Sequence, residues 1–430
     1  MLDARPIQRV LVAARGEVGA RLVRAVEAAG FEGVAIFSDA DADSAHLDDA
    51  AYAVRIPSSG AGDPYLDPAG IVAAALDSGA DAVHPGLHGL ARSAELARTV
   101  HNVGLAWLGP RLDDLLWTLD RSQARARARD AGLECLPSSP LILAPDDVGA
   151  WCERFGFPVV LRPGRRGSCR SVVAHDLAAA RRAVAEAGEV GVFAERVLAE
   201  ARHVVVVVVG DGFGNAVHVG EHEISLSGSA GGRLRECPSS GVSPVLREKM
   251  CVGAAEFVAA WRYFGVAGVH FLIGPDDRPW FLDVDPGLPE GFGLHDIVYG
   301  TDLVGAQVLL ASGEELGWDQ GEMRAQGCAA EIAIAARGRG KLKVFTFEDS
   351  TAVSAIVGQG NRVDRERNAI LARVQVRAPT RHAALVRLRA ILEGSKIEGV
   401  DTDLAECIEK LGDRSVWDGR TSRSVVDRPS

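Results

Sequence analysis

Within its first hundred residues the chain alternates short β-branched apolar runs with amphipathic stretches of helical period, and that alternation commits it to parallel βαβ units. Val10 to Ala13, Gly33 to Phe37 and Ala82 to His84 read as strands, and Val18 to Ala29 and Ile71 to Gly79 as helices. At one strand-to-helix turn, Arg15-Gly16-Glu17-Val18-Gly19 offers glycines that would let an anion approach a helix N-terminus. It lacks the G-x-G-x-x-G spacing and an acidic residue to close a ribose-binding pattern, so it reads as a tight turn. His84-Pro85-Gly86 also ends a strand and reads as a turn, not as a ligand histidine.

A chain of 430 residues exceeds one ordinary core, so two to three domains are expected. A second region opens near Leu112 with a helical stretch, Asp113 to Ala131, whose many arginines are expected on a solvated face. Val159 to Arg162 then reads as a strand leading into the loop Pro163-Gly164-Arg165-Arg166-Gly167-Ser168. The β-branched run His203 to Val209 must be a strand, and Gly210-Asp211-Gly212-Phe213-Gly214-Asn215 turns it back into Val217 to His222. Phe271 to Ile273 and Trp280 to Leu282 form a further hairpin. From about Gly327 a third region carries strands at Ala329 to Ile334 and Arg373 to Arg377, a helix at Arg381 to Gly394, and a polar tail.

Composition removes several function classes. A net charge of −11 with no basic domain disfavours nucleic acid as a partner. No uncharged apolar run reaches about 18 residues, and Met1 to Arg9 carries charges where a leader would be apolar, so a cytoplasmic location without membrane contact is expected. Seven cysteines, scattered and never in a C-x-x-C pair, support neither a disulfide framework nor a zinc site. Five of the 47 basic residues are lysines and none precedes Lys249, which excludes any mechanism that needs a lysine in the first half.

In collinear order the chain carries Val12-Ala13-Ala14-Arg15-Gly16-Glu17, His84-Pro85-Gly86, Leu108-Gly109-Pro110, Phe157-Pro158-Val159-Val160, Glu195-Arg196-Val197-Leu198, Arg202-His203-Val204, Asp211-Gly212-x-Gly214-Asn215, Gly300-x-Asp302-Leu303 and Ile397-Glu398-Gly399-Val400-Asp401-Thr402. Together these resemble the biotin carboxylase component of acetyl-CoA and other acyl-CoA carboxylases, of the ATP-grasp superfamily. The resemblance implies an α/β fold, α+β in part. It divides into a Rossmann-like domain over 1–111, an ATP-grasp domain over 112–313 with a lid at about 132–200, and a C-terminal mixed domain over 327–430. It also implies ATP or ADP with Mg2+ as cofactor, and biotin carried elsewhere, since no Ala-Met-Lys-Met segment is present for its attachment.

Carried over position by position, the resemblance puts Arg162 where the lid holds a phosphate lysine, and Arg121 at the lysine before the lid. Glu195, Arg196 and Leu198 match the hinge that frames adenine, and His203 matches a histidine near the ribose and phosphates; the same stretch also suits a strand that merely joins lid to body. Asp283 and Asp285 match the second magnesium motif, and two acids two apart on a strand share a face. They either hold one hard cation weakly or sit solvated at a strand end.

Much else is missing. The lid loop is about two residues short, with Arg165, Arg166, Ser168 and Cys169 in place of glycines, so it is not expected to close over a triphosphate. Ser227 to Gly232 replaces a charged stretch, the first magnesium glutamate falls at His270 or Phe271, and the enolate-stabilising arginine is Ala333. In the bicarbonate segment, arginine, glutamine and glutamate have become Gly287, Pro289 and Gly291, with Glu290 one residue early. No catalytic residue is assigned. The expectation is a pseudoenzyme that regulates or scaffolds an active biotin carboxylase, a biotin carrier protein or a carboxyltransferase, or that forms a homodimer. The alternatives are a divergent ATP-grasp ligase and a nucleotide sensor without turnover.

Overall fold

The N-terminal alternation forms a parallel five-stranded sheet in the computed structural model, which describes residues 7–42, 44–57, 63–87, 89–226, 233–364 and 369–421. Its strands are β1 (Arg9–Val12), β2 (Glu32–Phe37), β3 (Tyr52–Arg55), β4 (Ala82–His84) and β5 (Ala106–Trp107), in the order β3-β2-β1-β4-β5. Helices α1 (Gly16–Ala28), α2 (Pro68–Asp77) and α3 (Ala94–Asn102) connect and cover them. Asp67 and Ser93 start α2 and α3 by accepting from backbone amides of their first turns. His84 is the turn residue expected, buried at the end of β4 with Nδ1 accepting from Gly86 N–H at 3.0 Å and Nε2 3.2 Å from Gln307 Oε1. Burial depresses its pKa to about 4.

The helical stretch Asp113 to Ala131 is two helices, α4 (Leu112–Leu119) and α5 (Arg121–Asp130), broken at Asp120. Asp120 leaves helical geometry and its carboxylate caps α5 by accepting from Gln123 N–H. The arginines do not all lie on a solvated face, because Arg121 and Arg125 point inward and are buried. The lid follows as α6 (Val148–Phe155), β6 (Val159–Pro163), β7 (Val172–Ala174), α7 (Leu177–Ala187) and β8 (Val192–Arg196), with sheet order β7-β6-β8. It has its own small core, in which Val159, Leu161 and Ala194 meet Val148, Ala180 and Val184.

The body of the molecule is one eight-stranded sheet. From the middle region come β9 (Arg202–Asp211), β10 (Ala216–Glu223), β11 (Arg233–Cys237), β12 (Phe264–Ile273) and β13 (Pro279–Pro286), with helices α8 (Pro244–Ala260), α9 (Phe292–Tyr299) and α10 (Leu303–Ala311). The third region adds β14 (Cys328–Ala335), β15 (Gly340–Lys341), β16 (Val344–Thr346), β17 (Val353–Ala355), β18 (Arg362–Val363), β19 (Ile370–Ala378) and β20 (Lys396–Glu398). Three of these continue the same sheet, in the order β13-β12-β9-β10-β11-β14-β19-β17, through antiparallel pairing of β11 with β14. The other four pair off as β15 with β18 and β16 with β20. Helices α11 (Arg381–Glu393), α12 (Leu404–Gly412) and α13 (Arg414–Trp417) follow, with Leu385, Leu388, Cys407 and Val416 in the core of this end.

The valine run of β9 is apolar throughout because both of its faces are buried. Val204, Val206 and Val208 meet Ala254, Phe257 and Val258 of α8. Val207 and Val209 meet Val12 and Leu22 of the N-terminal region and Leu303 and Val308 of α10. Each such valine contributes about 1.5 kcal/mol of burial, so this strand is a main fastening between regions. Residues 227–232, where the resemblance implies a charged stretch, lie outside the described residues.

Candidate functional site

Strand β13 aims two acids at the lid by way of a bulge. His270 pairs with Asp283 and Phe271 with Phe281, which leaves Leu282 without a partner across the ladder. Phe281 and Val284 therefore face the core, while Asp283, Asp285 and their neighbour His270 face the lid. The acids share a face as expected, but they are buried and not solvated, at 4% and 8% exposure.

All four carboxylate oxygens are already engaged. Asp283 Oδ2 lies 2.8 Å from Arg121 Nη1, and Oδ1 lies 3.2 Å from Arg166 Nη1 and accepts from Val284 N–H at 3.0 Å. Asp285 Oδ1 meets both Arg92 Nη2 and Arg166 Nη2 at 2.5 Å, and Oδ2 lies 2.9 Å from His270 Nε2. Burial alone would raise the pKa of Asp285, but Arg166, Arg92 and His270 outweigh it and hold the carboxyl well below the usual range. Burial lowers Arg121 to about 10 even though Asp283 opposes the shift. His270 Nδ1 is 2.9 Å from His203 Nε2, so the acid pair continues into two imidazoles. Magnesium does not fit this arrangement, since a hard cation needs free oxygens and none is left. Among the described residues no group of three or more His, Cys, Asp and Glu side chains is placed to hold a metal.

A second knot ties the lid to α5. Glu195 of β8 receives Arg125 Nη1 on Oε1 at 2.5 Å and Arg162 Nε on Oε2 at 2.8 Å, all three being buried. Of the adenine-end residues, Arg196 is exposed at the end of β8, and Leu198 packs with Leu136, Leu272 and Leu282. Arg121, Arg162, Glu195, His203, Asp283 and Asp285 thus meet in one ionic assembly, whereas Arg196 and Leu198 stand outside it. Arg92, Arg125, Arg166 and His270 belong to the assembly too, and they were not singled out as binding groups from sequence. The bulge at Leu282 and the break at Asp120 direct this chemistry, and only the second had a local signal, an aspartate where a cap is favoured.

Further along the same face of the sheet a second charged cluster is built around Glu331, two residues before Ala333. Glu331 of β14 has no exposed surface and engages Arg235 Nη1 at 2.7 Å, Gln375 Nε2 at 2.6 Å and Arg373. Arg373 also pairs with Glu17 of α1, and Arg21 stands 3.9 Å from Glu331. Burial would raise Glu331, but Arg373, Arg235 and Arg21 together bring its pKa down to about 2. Glu290 pairs with Arg235, and Gly291 adopts φ +91°, where an added Cβ would come 3.1 Å from His222 Nε2. A glutamate at 291 would be strained there.

Comparison with known proteins agrees with this architecture. Residues 6–115 match the biotin carboxylase N-terminal domain, and residues 120–318 match the ATP binding domain of the carbamoyl-phosphate synthase L chain. Biotin carboxylase 1 of Bacillus subtilis is 28% identical over 419 residues, 93% of each protein. The mitochondrial methylcrotonoyl-CoA carboxylase subunit alpha of Glycine max is 30% identical over 432 residues, 96% of this chain but 59% of its own length, so the chain spans little over half of that relative. The biotin carboxylase domain dimer of Hydrogenobacter thermophilus 2-oxoglutarate carboxylase, solved with MgADP, ADP and bicarbonate, superposes with a TM-score of 0.89 over 96% of each chain at 25% identity. Biotin carboxylase from Campylobacter jejuni has the same fold, with a TM-score of 0.89 over 96% of this chain and 97% of that one at 22% identity. No helix among the described residues is long and apolar enough to cross a membrane. With matched N-terminal and ATP-grasp domains in the same order, the chain is a homologue of the biotin carboxylases.

Proposed function

We propose that this chain is a catalytically inactive biotin carboxylase homologue that acts as a regulatory or scaffolding subunit of an acyl-CoA carboxylase. One observation carries the reading: the acids at the metal position are engaged by arginines, and the segment that follows holds a single carboxylate, Glu290, itself paired with Arg235. Removing one electrostatic stabiliser from an active site typically costs about 10²- to 10³-fold in rate. Here the bicarbonate clamp, the base and the enolate partner are replaced together by Gly287, Pro289, Gly291 and Ala333. Losses within one catalytic unit do not simply add, but so complete a set leaves no pathway for carboxylation. Purified full-length chain, supplied with MgATP, bicarbonate and free biotin, should release phosphate at the rate of a no-protein control. Biotin-dependent cleavage above that control would overturn the reading.

The buried fastenings between regions favour a scaffold, because they preserve the whole architecture around a centre without its reactive groups. The partner in this reading is an active biotin carboxylase, a biotin carrier protein, a carboxyltransferase or a second copy of the chain. A nucleotide sensor without turnover is favoured by a different observation, that five guanidiniums (Arg92, Arg121, Arg125, Arg162 and Arg166) face three carboxylates (Glu195, Asp283 and Asp285). Calorimetric titration with ATP, with and without magnesium, tests it; absence of heat in both titrations removes the sensor.

A further inference from the structure

The lid loop between β6 and β7 reaches the body at several points. Arg166 N–H donates to Leu119 C=O at 2.9 Å, and Arg121 N–H donates to Gly164 C=O at 3.0 Å, so the loop is sewn to the break between α4 and α5 by backbone hydrogen bonds in both directions. Asp120 and Arg165 form a β-bridge at the same place. Gly164 itself packs within the lid, where a Cβ would lie 2.5 Å from Val190 O. Beyond it, the Arg166 guanidinium spreads across the acid pair, Nη1 toward Asp283 and Nη2 toward Asp285. One planar fork meets two carboxylates, a geometry that a guanidinium supports and a divalent ion would otherwise have to supply.

We propose that Arg166 is a resident substitute for a divalent cation, bridging Asp283 and Asp285 so that the lid is latched onto the body with neither metal nor nucleotide bound. Two unscreened acids this close and this buried would repel, and a buried carboxylate without a counter-charge is strongly unfavourable. Arg166 removes that penalty from the lid side, while Arg121, Arg92 and His270 do so from the body side. Because Arg166 is the lid's own contribution, lid closure completes the neutralisation of the acid pair. Arg125 with Glu195 adds a second tie between body and lid on β8. The inference goes beyond the proposed subunit role and holds whatever the partner is.

Hydrogen exchange read by mass spectrometry on the full chain tests the latch, with the amides of Arg121 and Arg166 as reporters of docking. In EDTA the peptides covering 119–123 and 162–171 should already be protected, and adding magnesium chloride should change nothing. Arg166→Ala should raise exchange there by about 10- to 100-fold, the effect of losing one buried ion-pair partner from a local opening equilibrium. Arg166→Gln, which keeps the reach without the charge, should release the loop in the same way, as should the double change Asp283→Asn with Asp285→Asn. Arg165→Ala, an exposed neighbour on the same loop, should not. Exchange in β9 monitors the global fold; if Arg166→Ala raises it, Arg166→Gln and the wild-type comparison in EDTA and magnesium decide. Protection that appears only on adding magnesium, or Arg166 variants that exchange like Arg165→Ala, would overturn the proposal.

Discussion

Replacing Glu331 by glutamine removes one charge and almost no volume, at the point where three regions of the chain meet. Glu331 sits on β14 with zero exposure, and its partners come from β11 (Arg235), β19 (Arg373 and Gln375) and, at longer range, α1 (Arg21). Two routes give the size of the effect. Breaking a buried ion pair from one side leaves the partner charges uncompensated and costs about 3–5 kcal/mol. Independently, a pKa displaced from an ordinary 4.5 to about 2 corresponds to about 3 kcal/mol of preference for the charged form in the folded state. The routes agree, so Glu331→Gln should lower Tm by roughly 6–10 °C at neutral pH, at roughly 2 °C per kcal/mol for a chain of this size.

The sign with pH is fixed as well. A carboxyl with a depressed folded-state pKa stabilises fully above its unfolded value and loses that contribution as pH falls through the folded one. The wild-type protein should therefore lose this share of stability between about pH 4.5 and pH 2, while the variant has none to lose. Calorimetric melts of both proteins from pH 8 downward should show a constant gap to about pH 5 and a narrowing gap below it. A difference under about 1 kcal/mol at pH 7, or a gap that widens in acid, would refute the account of the cluster as a charge-dependent fastening.

Two further outcomes follow from different parts of the structure. Gly220, at the register shift of β10, has φ +68°, and a Cβ there would stand 1.8 Å from Tyr299 Oη, so Gly220→Ala should cost about 3 kcal/mol or more, seen as a lower urea midpoint with unchanged slope. Affinity purification of the tagged protein from its native cells should recover a biotin carboxylase, biotin carrier or carboxyltransferase component, or a homodimer; recovery as a lone monomer counts against the scaffold reading and in favour of a divergent ligase.

How much of this was legible in the sequence depends on the range of the interactions involved. Val10 to Ala13, Ala82 to His84 and His203 to Val209 declared themselves as strands because β-branched runs are local signals, and the observed elements differ by a few residues at most. The break at Asp120 had a local signal in its capping aspartate, set among good helix formers, whereas the pairing of β11 with β14, which fuses the middle and C-terminal regions into one sheet, leaves no local trace. The acid pair was legible as two residues on one face, but not its partners, since Arg92 and Arg166 lie 193 and 119 positions from Asp285 among 47 basic and 58 acidic residues.

Sequence could reveal two acids on one face of a strand, Asp283 and Asp285, and their burial carries a physical requirement that the fold then has to meet. A site built around buried carboxylates must neutralise them, by a bound cation or by one of its own. Arginine is suited to the second course because it keeps its charge when buried and presents two donors in a plane to two acceptors. The substitution that looks like damage when read as a lost glycine, Arg166, is therefore the residue that lets Asp283 and Asp285 stay buried in a centre with no oxygen left for a metal.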